Sequence, residues 1–123
     1  MGQRKILIIV LWWRGDGMQI TQEIRDITNM IVQTVPTLKV YVFGSRAKGT
    51  AREDSDIDFY VIIPDGEMRE LIACQKIHMA IADIQKTPVD MLVGYKSKFD
   101  TRKNIISTIE KEVANTGVIV YGE

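Results

Sequence analysis

Asp56 and Asp58 flank a single isoleucine at the mouth of the apolar run IDFYVII, and ten residues separate them from Gly44-Ser45 in the stretch VFGSRAKGTAREDSDIDFYVII. Side chains at i and i+2 of an extended strand point to one face, so the two carboxylates enter one small volume. Two such charges repel unless a proton or a cation lies between them. Hard oxygen donors of this kind suit Mg²⁺ or Mn²⁺, which one or two carboxylates hold together with substrate phosphates rather than inside a closed protein cage. Gly44 leaves the backbone free to approach a ligand, and Ser45, at the start of a short helix, offers its hydroxyl and nearby amides to an anion. A phosphate cradle and a pair of metal ligands therefore flank one loop.

A third acid interrupts the apolar stretch PVDMLVG: Val89, Met91 and Val93 fall on one face, Asp90 and Leu92 on the other. Were this strand to pair beside the Asp56 strand, three carboxylates would converge, enough to hold two cations and orient a hydroxyl for attack on phosphorus. Arg46, Lys48 and Arg52 share the loop and are candidates for phosphate contacts, Arg46 foremost because it follows the Gly-Ser pair directly. Each piece has a bland reading: SDID is a solvated strand start, GS a turn or cap, Asp90 the partner of a lysine, and the loop cations a balance for Glu53 and Asp54. Their joint order and spacing make the functional reading the better one. A second basic run, Lys96, Lys98, Arg102 and Lys103, reads as a solvated helix start.

Positioning such a site requires alternating elements. Ile20, Ile24, Ile27 and Ile31 recur at helical spacing, and Pro36 ends that helix because the residue before proline avoids helical geometry. Residues 38–43, LKVYVF, are β-branched and aromatic and read as a strand. GSRAKG turns into a short helix, and residues 57–63 form a second strand stopped by PDG. Residues 67 to about 84 carry Met68, Leu71, Ile72 and Met79 on a helical face, and PVDMLVG is a third strand. Asp100 or Thr101 caps a last helix through Ile105, Ile106, Ile109 and Val113, before the terminal strand GVIVYG. The order predicts an α/β (α+β) fold, a sheet of about four strands flanked by helices, and leaves the order of the strands and the mixture of their directions open.

Bulk properties narrow the function classes. At 123 residues, 46% hydrophobic and 26% charged, the chain reads as one soluble domain that buries roughly two thirds of its unfolded surface without disulfides or a structural metal. Sixteen basic residues balance sixteen acidic ones. No net field gathers nucleic acid or an anionic membrane, so neither is an expected partner and specificity must come from a site. The lone Cys74 reads as a small packed hydrophobe in a reducing, cytoplasmic setting; His78, four residues on, completes no triad, and Tyr41 and Tyr60 read as packing residues. The run from residue 6 to 13 is too short to span a bilayer and lacks a cleavage site, which favours an extension over 1–17, ahead of a domain at 18–123 that starts near Met18; a truncated signal peptide and an extra edge strand are the alternatives.

GSRAKGTAREDSDIDFYVI resembles the signature of the minimal nucleotidyltransferases of the DNA polymerase beta superfamily: Gly-Ser, ten residues, Asp-x-Asp. The matching order of elements covers residues 20 to 122; residues 1–17 match nothing in it. The resemblance implies that Gly44, Ser45 and Arg46 hold a nucleoside triphosphate, and that Asp56 and Asp58 bind Mg²⁺ or Mn²⁺. Asp90, placed by strand order rather than by a tight motif, would be the third metal-binding and catalytic carboxylate. It further implies a small nucleotidyltransferase fold with a mixed sheet, and transfer of AMP from ATP to a hydroxyl, with release of pyrophosphate. Minimal members are paired with a helical HEPN toxin in toxin-antitoxin systems, so a HEPN-type protein is the expected acceptor. A non-catalytic antitoxin that occludes its partner is the alternative, and a homo-oligomer stays open.

Overall fold

A computed structural model describes residues 20–52 and 55–123. The expectations for residues 1–17, and for Glu53 and Asp54, lie outside these. Helix α1, Gln22–Thr34, opens on Thr21, whose side chain accepts a hydrogen bond from the Ile24 amide at 3.2 Å. Its isoleucine stripe is buried as the spacing predicts, and it ends at Val35, held extended ahead of Pro36. Strand β1, Lys39–Phe43, leads through the one-turn α2, Ser45–Lys48, to β2, Ile57–Ile63. Helix α3, Glu70–Ile81, crosses to β3, Val89–Tyr95; α4, Lys96–Arg102, and α5, Ile109–Thr116, precede β4, Val118–Tyr121.

The sheet order is β3-β2-β1-β4. β1 runs antiparallel to both β2 and β4, whereas β2 and β3 are parallel, as a helical crossover demands. The fold is thus the small mixed α+β sheet that the family resemblance implies. β2 is central and apolar on both faces because both are covered. Ile57, Phe59, Val61 and Ile63 meet α1 and α3 on one side, while Tyr60 and Ile62 join Tyr41, Phe43, Phe99 and Val113 on the other. Phe99 meets the Tyr60 ring edge-on at 5.2 Å and stacks on Tyr41 at 5.6 Å.

Two helical expectations need correction. On α3 the stripe that meets the sheet is Ala73, Ile77 and Ile81, and Leu71 and Met79 stand 61% and 79% exposed. That helix is apolar around much of its circumference, so periodicity alone does not select its inner face. The last helix is also two helices. Asp100 sits inside α4, paired with Lys96, and residues 103–108 break the chain before Thr108 caps α5 by accepting from the Lys111 amide at 3.1 Å. Ser107 adopts φ +72°, which no continuous helix tolerates. Ile105 and Ile106 consequently lie exposed on the break rather than on a core face.

Candidate active site

Gly44 sits between β1 and α2 at φ +76°, ψ −150°, a region only glycine enters without strain. A Cβ built there would overlap Asp58 Oδ2 and lie 3.4 Å from its Cγ. The glycine backbone therefore lies directly against the second carboxylate of the motif, and the cradle and the acid pair are one place. The one-turn helix is closed by hydrogen bonds from the Lys48 amide to Gly44 O at 3.1 Å and from the Thr50 amide to Ser45 O at 3.0 Å, with Ala47 buried beneath it. Ser45 is its first residue, where the first-turn amides have no acceptor within the helix.

Parallel pairing of β2 and β3 sets Asp58 opposite Asp90. Their carboxyls are close enough to share a proton. The Asp58 carboxyl is pushed up to about 6, first by burial, then by the hydrogen bond with Asp90, and then by the charges of Asp90, Asp56 and Glu112. Asp56 precedes β2 by one residue, is exposed, and acts on Asp58 through charge. Asp58 and Asp90 are thus brought together, with Asp56 beside them. Among the described residues no three Asp, Glu, His or Cys side chains converge into a metal cage. An open set of oxygens, crowded enough to hold a proton near neutrality, nevertheless fits a cation that keeps waters and takes its remaining ligands from phosphate.

Glu112 of α5 carries no motif. An acid within IEKEVANT reads as solvated helix surface, yet its charge reaches Asp58, and Lys48 Nζ lies 3.9 Å from its Oε2. Only packing of α5 over the sheet reveals it. That packing is anchored by the Tyr60 hydroxyl, which donates to Glu110 Oε2 at 2.8 Å, and by Arg102 Nε, which donates to Glu110 Oε1 at 2.9 Å. Burial opposes ionisation of Glu110, but the Arg102 and Tyr60 hydrogen bonds outweigh it and hold the carboxyl below its usual range. Burial, then the Glu110 contact, pushes the Tyr60 hydroxyl far up. Tyr60 is a packing residue with a second task.

The remaining candidates also have places. Arg46 Nη2 donates to the Ser55 carbonyl at 2.7 Å, across the loop and toward Asp56. The second basic run is spent on ion pairs: Lys96 and Lys103 with Asp100, Lys98 with Glu70, Arg102 with Glu110. Cys74 is half-buried, its thiol directed at Met91 O at 3.6 Å and pushed up by burial, the opposite of a reactive thiolate. His78 is exposed on α3. Among the described residues no helix is long and apolar enough to cross a membrane.

Residues 22–114 match the nucleotidyltransferase domain family. No curated protein is significantly similar to the chain in sequence. Among solved structures, the fold is similar to that of a toxin-antitoxin crystallised with AMP-PNP, at TM-score 0.60 and 23% identity over 84% of this chain and 75% of that one. A mutant of the toxin-antitoxin MntA-HpeT is similar at TM-score 0.58 and 19% identity, over 84% and 75%. A candidate nucleotidyltransferase from Sulfolobus solfataricus is similar at 0.52 and 22%, over 80% and 76%. At these identities the likeness is one of fold.

Proposed function

Because the chain belongs to the nucleotidyltransferase domain family, we propose that it transfers AMP from ATP to a hydroxyl of a partner protein, as the antitoxin of a HEPN-type toxin. The observation that carries this reading is the contact of Gly44 with Asp58 together with the registration of Asp58 on Asp90. The closeness of the glycine backbone to the carboxylates supports a phosphate and a cation bound side by side there.

In this reading the bare Cα of Gly44 lets the triphosphate approach and the Ser45 hydroxyl donates to a phosphate oxygen. Asp56, Asp58 and Asp90 would hold Mg²⁺ or Mn²⁺, which would supply charge stabilisation for the transfer. The acceptor oxygen forms a bond to the α-phosphorus, the bond from that phosphorus to the bridging oxygen breaks, and pyrophosphate leaves. The acceptor proton passes to Asp90, the third carboxylate of the set. The work of the protein is alignment and charge placement. Toxin-antitoxin complexes among proteins of like fold support a toxin as the partner. The chain acts in the cytoplasm, and its domain occupies residues 18–123.

The test is the intact mass of the partner captured from the native host, incubated with ATP and Mg²⁺. Wild type should add about 329 Da per AMP, the increment set by adenylyl transfer with loss of pyrophosphate, and silence the partner only when both are supplied. Asp56→Ala or Asp58→Ala should bind the partner and leave it unmodified and active. Neutralisation by the doubly substituted chain equal to wild type, with no mass change in either, would establish occlusion instead.

A further inference from the structure

The β2–β3 ladder begins where the Ile57 amide donates to Pro88 O at 2.9 Å. Everything before that lies beyond the reach of the sheet: Ser55 and Asp56 on one side, Lys86 and Thr87 on the other. Asp56 is nonetheless a site acid, and Thr87 stands three residues before Asp90. Alignment of Asp56 with the Asp58–Asp90 pair therefore depends on something other than strand pairing.

Two side chains from separate elements supply it. Glu23, in the first turn of α1, reaches the segment that opens β3. Its Oε2 accepts from the Lys86 amide at 2.6 Å and the Thr87 amide at 2.7 Å, and its Oε1 accepts from Thr87 Oγ1 at 2.7 Å. Three donors on one ionised carboxylate form a charge-assisted clamp of the strong kind. Arg46 grips the segment that leads into β2, at the Ser55 carbonyl. The two are coupled: burial opposes ionisation of Glu23, but the Thr87 and Lys86 hydrogen bonds and the positive charge of Arg46 hold its carboxyl below the usual range. α1 thus holds the segment leading to Asp90, while α2 holds the residue before Asp56.

We infer that Glu23, facing Arg46, is a positioning residue that fixes the Asp90 strand against the Asp56 segment and so sets the geometry in which the carboxylates take a divalent cation. The inference rests on the nucleotidyltransferase reading of the site. Supporting groups of this kind change metal affinity or activity on the order of 10- to 100-fold when removed, although they touch neither substrate nor ion.

The test uses the full chain and three variants, Glu23→Ala, Glu23→Gln and Thr87→Val. ATP affinity is measured by calorimetry with Mn²⁺ and with EDTA, and amide hydrogen exchange is followed at Lys86 and Thr87. Glu23→Ala should speed exchange at both amides, weaken the Mn²⁺-dependent part of ATP binding on the order of tenfold, and leave binding in EDTA unchanged. In transfer assays it should lower kcat more than it raises KM. Glu23→Gln keeps an oxygen for the two amides and an N–H for the threonine oxygen, so it should restore both readouts. Thr87→Val removes one bond of the three without a change of shape and should show a partial loss, which tests the inference even if Glu23→Ala does not fold. Faster exchange with wild-type Mn²⁺-dependent binding in either truncating variant would overturn the positioning role alone. ATP binding by wild type that ignores Mn²⁺ would overturn the reading of the site beneath it.

Discussion

Replacing Asp58 by Asn should stabilise the metal-free protein at neutral pH and remove a slope from its stability profile. The Asp58 carboxyl titrates at about 6 in the fold against an ordinary value of 3.8, because burial and the Asp90, Asp56 and Glu112 carboxylates oppose its charge. A folded pKa above the unfolded one means that the unfolded chain releases the proton first. The contribution of Asp58 to stability is thus fully present below pH 3.8 and is lost as pH rises through about 6. The unscreened shift corresponds to about 3 kcal/mol. Asp58 is partly open to water, so solvent screening reduces this to roughly 1 kcal/mol. The asparagine side chain is isosteric with aspartate and can still donate to Asp90. Urea unfolding in EDTA at pH 4.5 and pH 7.5 follows the effect, because titrating groups distant from the site cancel in the difference between the two proteins. Asp58→Asn should gain up to about 1 kcal/mol on wild type at pH 7.5 relative to the difference at pH 4.5. With Mg²⁺ and ATP the order should reverse, wild type gaining roughly 2 to 3 kcal/mol at a hundredfold excess over the dissociation constant. Equal differences at both pH values would refute the crowding of charge on which the cation site rests.

Gly44→Ala adds a Cβ that collides with Asp58 Oδ2 at a backbone angle hostile to L-residues. It should cost roughly 1 to 3 kcal/mol of stability and abolish the Mg²⁺-dependent thermal shift with ATP, measured by differential scanning fluorimetry. Tyr60→Phe leaves Glu110 buried with Arg102 as its remaining side-chain partner. Chemical denaturation should show a loss of about 2 kcal/mol, as expected for a hydrogen bond to a charged group.

The features legible in the sequence were those encoded within a few residues. The isoleucine stripe of α1 and its stop at Pro36 obey helical spacing. The Gly-Ser turn follows from the freedom of Gly44, and the apolar run after Asp56 reads as a strand. Alternation of helices and strands was enough for a sheet of four strands with helices packed on it, but not for the directions of those strands. Where the local signal was degenerate, the reading failed: an α3 apolar around much of its circumference hid its inner face, and a positive φ at Ser107 split what looked like one helix. Contacts between distant residues belonged to the tertiary structure alone. The parallel register that sets Asp58 on Asp90, the arrival of Glu112 on α5, and the grip of Glu23 on residues 63 and 64 positions away all depend on how the α3 crossover and the helical layers close over the sheet. A carboxylate on an amphipathic helix looks the same in sequence whether it faces water or a second carboxylate, because the charge it meets is brought there by packing rather than by its neighbours in the chain.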